Sequence, residues 1–189
     1  MSTLSGTKIK DTYSGLLKTT DNAALNGTFK AITDGAGNAS GLELNNTYAR
    51  ATSGMLFGAD TAAANALDDY EEGTSTLTLT GGTTAPTVAP TTTAYYTKIG
   101  NLVTISFKFG NVDVTGVVGV IVITGLPFTS RLTTAQGSLW CGRASDSSLV
   151  LFMDANSTQM SVVNGGGSNV TWASDGTGTY CGGSITYSA

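Results

Sequence analysis

The chain offers 13 acidic side chains, 9 basic ones and no histidine in 189 residues. Without imidazole there is no Ser-His-Asp triad, no Cys-His pair and no histidine metal site. A G-x-S-x-G elbow and a Walker A loop are also missing from the sequence. Glycoside hydrolysis needs only two carboxylates, and Asp113, Asp146, Asp154 and Asp175 are available. All four fall in expected turns, where aspartate ordinarily bonds the backbone two residues on. Asp68, Asp69, Glu71 and Glu72 read as a solvated acidic junction. Residues 34–38 (DGAGN) lack the alternating ligands and the closing glutamate of a calcium loop. Cys141 and Cys181 are too few for a zinc site or a disulfide framework. They fit two small buried thiols, or a bridge formed after release into an oxidising medium. The expectation is a protein that is not an enzyme, with no catalytic residues, no cofactor and no metal. What remains are side chains that bind. Tyr95, Trp140, Asn156, Asn164 and Trp172, aromatics and amides of expected loops, are the candidate binding contacts. For the two tryptophans a place in the core competes with that role.

Charged residues make up 12% of the chain, about half the usual share. Threonine, serine, glycine, asparagine and alanine replace them, a composition suited to β surfaces kept wet by hydroxyls and amides. Helical bundles need lysine and glutamate on their outer faces, and disorder needs high net charge with few apolar residues. The net charge is −4, and Lys8, Lys10 and Lys18 read as a solvated edge. There is no basic stripe for nucleic acid. Residues 1–10 are polar and do not read as a secretory signal. The apolar run 117–123 is interrupted by Gly119 and is too short to cross a bilayer, so no membrane insertion is expected. Asn156-Ser157-Thr158 and Asn169-Val170-Thr171 are sequons expected by chance in so Asn-, Ser- and Thr-rich a chain.

Two regions position these residues. Residues 1–73 hold short apolar pieces (29–32, 42–44) between tight-turn dipeptides: Asp21-Asn22, Asn26-Gly27, Asp34-Gly35 and Gly37-Asn38. None of the pieces can build a core alone. Residues 59–70 read as one short helix because of the alanines at 62–64 and 66 and a cap at Asp60 or Thr61. Its thin apolar stripe needs a partner, most simply a three-fold bundle. Tyr13, Leu16, Leu17, Phe57, Leu67 and Tyr70 are the candidate oligomer or attachment residues.

Residues 74–189 read as β throughout. Residues 102–109 alternate cleanly, with Val103, Ile105, Phe107 and Phe109 on one face. Residues 117–123 read as a central strand, and further strands are expected at 138–142, 149–153, 159–163 and 180–187. A Gly-, Thr- and Pro-rich loop is expected at 80–93. Turn signals at Gly110-Asn111, 125–127, 154–156, 164–167 and Asp175-Gly176 separate the strands. The spacing suggests an antiparallel β-sandwich, jelly-roll-like.

Two stretches resemble bacteriophage fibre proteins. Residues 7–22 (TKIKDTYSGLLKTTDN) with 32–42 (ITDGAGNASGL) resemble the N-terminal region of fibre-like virion proteins. Residues 69–74 (DYEEGT), 96–103 (YTKIGNLV) and 123–128 (ITGLPF) resemble the distal β domain of phage tail-fibre and head-fibre proteins. The chain departs from that pattern at Ser75-Thr76, where the family usually has Trp and Pro. The resemblance implies a homotrimeric spike attached to capsid or tail proteins by its N-terminal part. The C-terminal knob is then displayed for host-surface adhesion, with glycan as a ligand class. It also implies residence in the virion after assembly in the bacterial cytoplasm. A capsid decoration protein that stabilises the shell without binding a receptor is the alternative. A polysaccharide depolymerase is disfavoured because no β-helix repeat is present.

Overall fold

The computed structural model describes residues 15–131, 135–173 and 176–189. Tyr13, Lys8, Lys10 and Asp175 lie outside the described residues. The chain divides into two compact units at Asp68–Asp69, a few residues before the composition break at Gly73.

The first unit is a four-stranded antiparallel sheet: β1 (Lys18–Thr19), β2 (Lys30–Thr33), β3 (Ala39–Leu44) and β4 (Ala49–Ala51), in that order. Its turns are closed by side chains. Asp34 Oδ1 accepts the Asn38 N–H at 2.9 Å, and Asn45 Oδ1 accepts the Thr47 and Tyr48 N–H groups at 2.8 and 2.6 Å. Polar links tie the strands and turns together. Buried Lys30 donates to the Ala24 carbonyl at 2.8 Å and pairs with Asp21 at 2.8 Å. Arg50 pairs with Glu43, its register partner, at 2.6 Å and lies over the Phe29 ring at 4.2 Å. Among the described residues, no apolar side chain of this unit is buried.

The helix expected over 59–70 is absent. Only Ala63–Asn65 form a single 3₁₀ turn, flanked by extended Ala62 and Ala66. Two local interactions outcompete alanine's helix preference. Asp60 takes the Ala62 N–H at 2.9 Å and the Asn65 side-chain amide at 2.7 Å, a closed turn of the kind that competes with helix. Met55 and Leu67 exchange backbone hydrogen bonds at 3.0 and 2.9 Å, fixing Leu67 in an antiparallel bridge. A helix this short has a costly nucleus and no buried stripe to offset it. Tyr70 is not helical either; it opens β5.

The second unit contains β5 (Tyr70–Gly81), β6 (Thr91–Ile99), β7 (Leu102–Val112), β8 (Ile121–Thr124), β9 (Ala135–Cys141), β10 (Leu149–Met153), β11 (Gln159–Asn164) and β12 (Thr179–Ser188). These strands do not form the expected two-sheet sandwich. They close into one antiparallel barrel, β10-β11-β8-β5-β6-β7-β12-β9, because β9 pairs with both β12 and β10. Closure removes open sheet edges. Two glycines permit the β9–β12 seam. A Cβ on Gly137 would sit 2.3 Å from the Ser184 carbonyl oxygen, and one on Gly183 would sit 2.2 Å from that of Ser138.

The alternation at 102–109 is as expected: Val103, Ile105, Phe107 and Phe109 point inward and are buried. With Leu77, Leu79, Ile121, Ile123, Leu151, Met153, Met160 and Ile185 they fill the barrel. Gly110-Asn111 does not end β7. Thr179 pairs with Val112 and Cys181 with Phe109, so residues 110 and 111 face Tyr180 alone in a bulge, with Asn111 at φ 53°. Of the apolar run 117–123, only 121–123 lie in a strand, and Val118 is exposed. Ser75 and Thr76, where the chain departs from the fibre pattern, pair regularly with Ala94 and Thr93.

The register sorts the loops. Residues 100–101, 125–131 and 154–158 lie at the proximal end, where the chain enters at Tyr70. Residues 82–90, 113–120, 142–148, 165–173 and 176–178 lie at the distal end.

Candidate functional site

Side-chain parity on β9 places the more exposed of the two tryptophans. Cys141 points inward, directly opposite Cys181 on β12, and the two are joined in a disulfide. The neighbouring pair, Gly142 and Tyr180, carries the hydrogen bond (Gly142 N–H to the Tyr180 carbonyl, 2.9 Å). The cysteines thus occupy a non-hydrogen-bonded position, where opposed side chains come closest. Of the two pairings open to them, the thiols take the bridge.

Trp140, next to Cys141, must point outward. Its partner on β12 is Gly182, which has no side chain to cover the ring. Trp140 remains 62% exposed. On the same outer face lies Tyr180, 41% exposed, with Gly142, just past the end of β9, bonded to its carbonyl and Gly110 beneath its ring edge on β7.

Beside Trp140 the 142–148 loop leaves a groove of about 480 Å³, lined by Trp140, Gly142, Ser145, Asp146 and Ser147 with Leu149 at its end. The loop is held from two sides. Ala144 bridges to Trp172, and the Ser145 N–H donates to the Thr171 carbonyl at 3.0 Å. Asp146 Oδ1 accepts the Ser148 N–H at 3.0 Å, the expected turn, while Oδ2 accepts the Asn164 side-chain amide at 3.2 Å. These bonds, the Ser148 N–H foremost, hold the Asp146 carboxyl below its ordinary range. Arg143 in the same loop donates to the Thr177 carbonyl.

The other candidates are dispersed. Asn164 is half-buried; its Oδ1 accepts the Gly166 and Ser168 N–H groups at 3.0 Å each, so it builds the 164–168 turn and orients Asp146. Trp172 is half-buried and packs against the barrel core, its Nε1 donating to the Thr80 carbonyl at 3.4 Å. It supports the distal loops from within. Asn156, at φ 57°, is exposed at the proximal tip of the β10–β11 hairpin. Tyr95 is 67% exposed on the β6 wall, beside a second depression of about 410 Å³. Trp140 thus lines the distal groove, Asn164 is tied to it only through its bond to Asp146, Trp172 bridges to the loop at Ala144, and Tyr95 and Asn156 lie elsewhere. Tyr180 and the groove's Ser145 and Ser147 escaped the sequence reading. Their one signal is that Gly110, Gly142 and Gly182 share an outward parity, visible only once the strand register is known.

In the first unit Leu16, Leu17, Phe57 and Leu67 are all exposed, together with Leu25, Leu42, Tyr48, Met55 and Leu56. Tyr70, in the barrel, is exposed and donates to Glu72.

No group of three or more His, Cys, Asp or Glu suited to a metal ion occurs among the described residues. Compared with protein-family models, curated proteins and solved structures, the chain matches none.

Proposed function

We propose that this chain is a non-enzymatic structural component of a bacteriophage particle, a homotrimeric fibre or spike. Its N-terminal unit attaches to capsid or tail proteins, and its C-terminal barrel is displayed for host-surface adhesion. One observation carries the reading. The first unit buries no apolar side chain among its described residues, yet exposes Leu16, Leu17, Met55, Phe57 and Leu67. A sheet of four short strands without an apolar core is marginal in water, so it needs a partner to supply one. Copies of itself under cyclic symmetry do so with a single surface. The resemblance of residues 7–22 and 32–42 to fibre N-termini agrees with this. The barrel, by contrast, has a complete core, as a domain held out into solvent requires. The disulfide is compatible with assembly in a reducing cytoplasm if it closes after release.

Replacing Leu16, Leu17 and Phe57 together by serine tests the reading. The triple variant should lose the oligomer while the barrel keeps its own melting transition. An unchanged oligomer would overturn the role of this surface. A native protein that neither associates nor adheres to host cells, but binds particles at lattice positions, would favour shell decoration instead.

A further inference from the structure

We infer that the distal groove beside Trp140 binds a neutral hexopyranose unit of a surface glycan. The inference rests on the adhesion reading above, whose ligand class it names.

Three observations set the chemistry. First, an indole that could be buried is held outward, and its cross-strand neighbour Gly182 leaves its face open. An aromatic placed only to cover a strand glycine would lie down over it and lose its exposure; Trp140 stays 62% exposed. Second, beside Trp140 the groove is lined by the polar loop residues Ser145, Asp146 and Ser147. A flat apolar face beside a row of acceptors matches a pyranose ring, which has C–H groups on its faces and hydroxyls at its edge. An aliphatic ligand would offer no donor to the groove's carboxylate and hydroxyls, and covering polar groups without one is costly. Third, among the described residues neither lysine nor arginine lines the groove, and Asp146 is fixed there by Ser148 and Asn164. An ionised carboxylate without a neighbouring cation repels carboxylated or sulfated sugars and welcomes hydroxyl donors. The groove volume, about 480 Å³, falls within the roughly 300–1,000 Å³ typical of small-ligand sites. Trp140 is the stacking platform, Asp146 the hydroxyl acceptor and Asn164 a positioning residue.

The test uses the full chain labelled with ¹⁵N at its two tryptophans, so that each indole N–H gives one signal. Methyl β-D-galactopyranoside and methyl α-D-glucopyranoside are the neutral probes and N-acetylneuraminic acid the anionic one. The Trp140 signal, identified by its loss in W140A, should shift with a neutral glycoside and not with the anion. Saturation transfer to that glycoside should vanish in W140A, and its affinity should fall about tenfold in D146A and in the isosteric D146N. A Trp140 signal unmoved by both glycosides, an equal response to the anion, or binding retained in W140A would overturn the site. Host-cell adhesion separates the two readings. Adhesion that persists unchanged in W140A overturns the site and leaves the adhesion reading standing. Glycoside binding without adhesion supports the site and removes the adhesion reading.

Discussion

Tyr187 shows how one side chain can couple barrel integrity to pH. It is 3% exposed near the proximal end of the barrel, and its hydroxyl donates to the Phe128 carbonyl at 3.1 Å. Burial pushes its phenol up to about 12 from an ordinary 10.0. The folded state therefore holds this proton where the unfolded chain has lost it. The contribution is whole below pH 10 and drains away as pH rises toward about 12, roughly 2–3 kcal/mol in all. Denaturant titrations between pH 9 and 12 should show that loss in the native protein and a flatter limb in Y187F. The disulfide is the other residue-scale device. It joins positions 40 residues apart in the chain, so reduction, or C141A/C181A, should cost about 2–4 kcal/mol by denaturant unfolding. The two tryptophans show what sequence could and could not reveal here. They are the same residue type in similar polar surroundings. Trp140 faces out because Cys141 faces in, and Trp172 packs inward because its indole N–H finds the Thr80 carbonyl. Neither fact can be read without the strand register.

At the scale of elements, the barrel strands were mostly legible and their closure was not. Residues 102–109 carry the period-two pattern that a half-buried strand must have, and Leu149–Met153 forms with the expected bounds. Local pattern, however, does not say that β9 finds β12 as well as β10, a pairing set by long-range contacts and by the glycines at the seam. Gly183→Ala tests that seam. Its new methyl must push against the Ser138 carbonyl across the ladder, and the barrel should lose roughly 1–3 kcal/mol in thermal or denaturant unfolding. An unchanged stability would mean that the strands can part at no cost. Residues 59–70 failed as a helix for a reason that propensity omits. Asp60 and the Met55–Leu67 bridge give the backbone better local partners than an isolated helical turn.

For the whole molecule, the contrast between units is the central fact. The barrel has a continuous buried core. The N-terminal sheet is joined by ion pairs and turn hydrogen bonds and leaves Leu16, Leu17, Leu42, Met55 and Phe57 exposed. That division was foreshadowed by short apolar pieces too small for a core, and the proposed function reads it as a surface for association. Light scattering of the purified full chain tests this most directly. Three chains of 19.2 kDa, about 58 kDa together, are the predicted mass. A stable monomer at micromolar concentration would contradict the trimeric account.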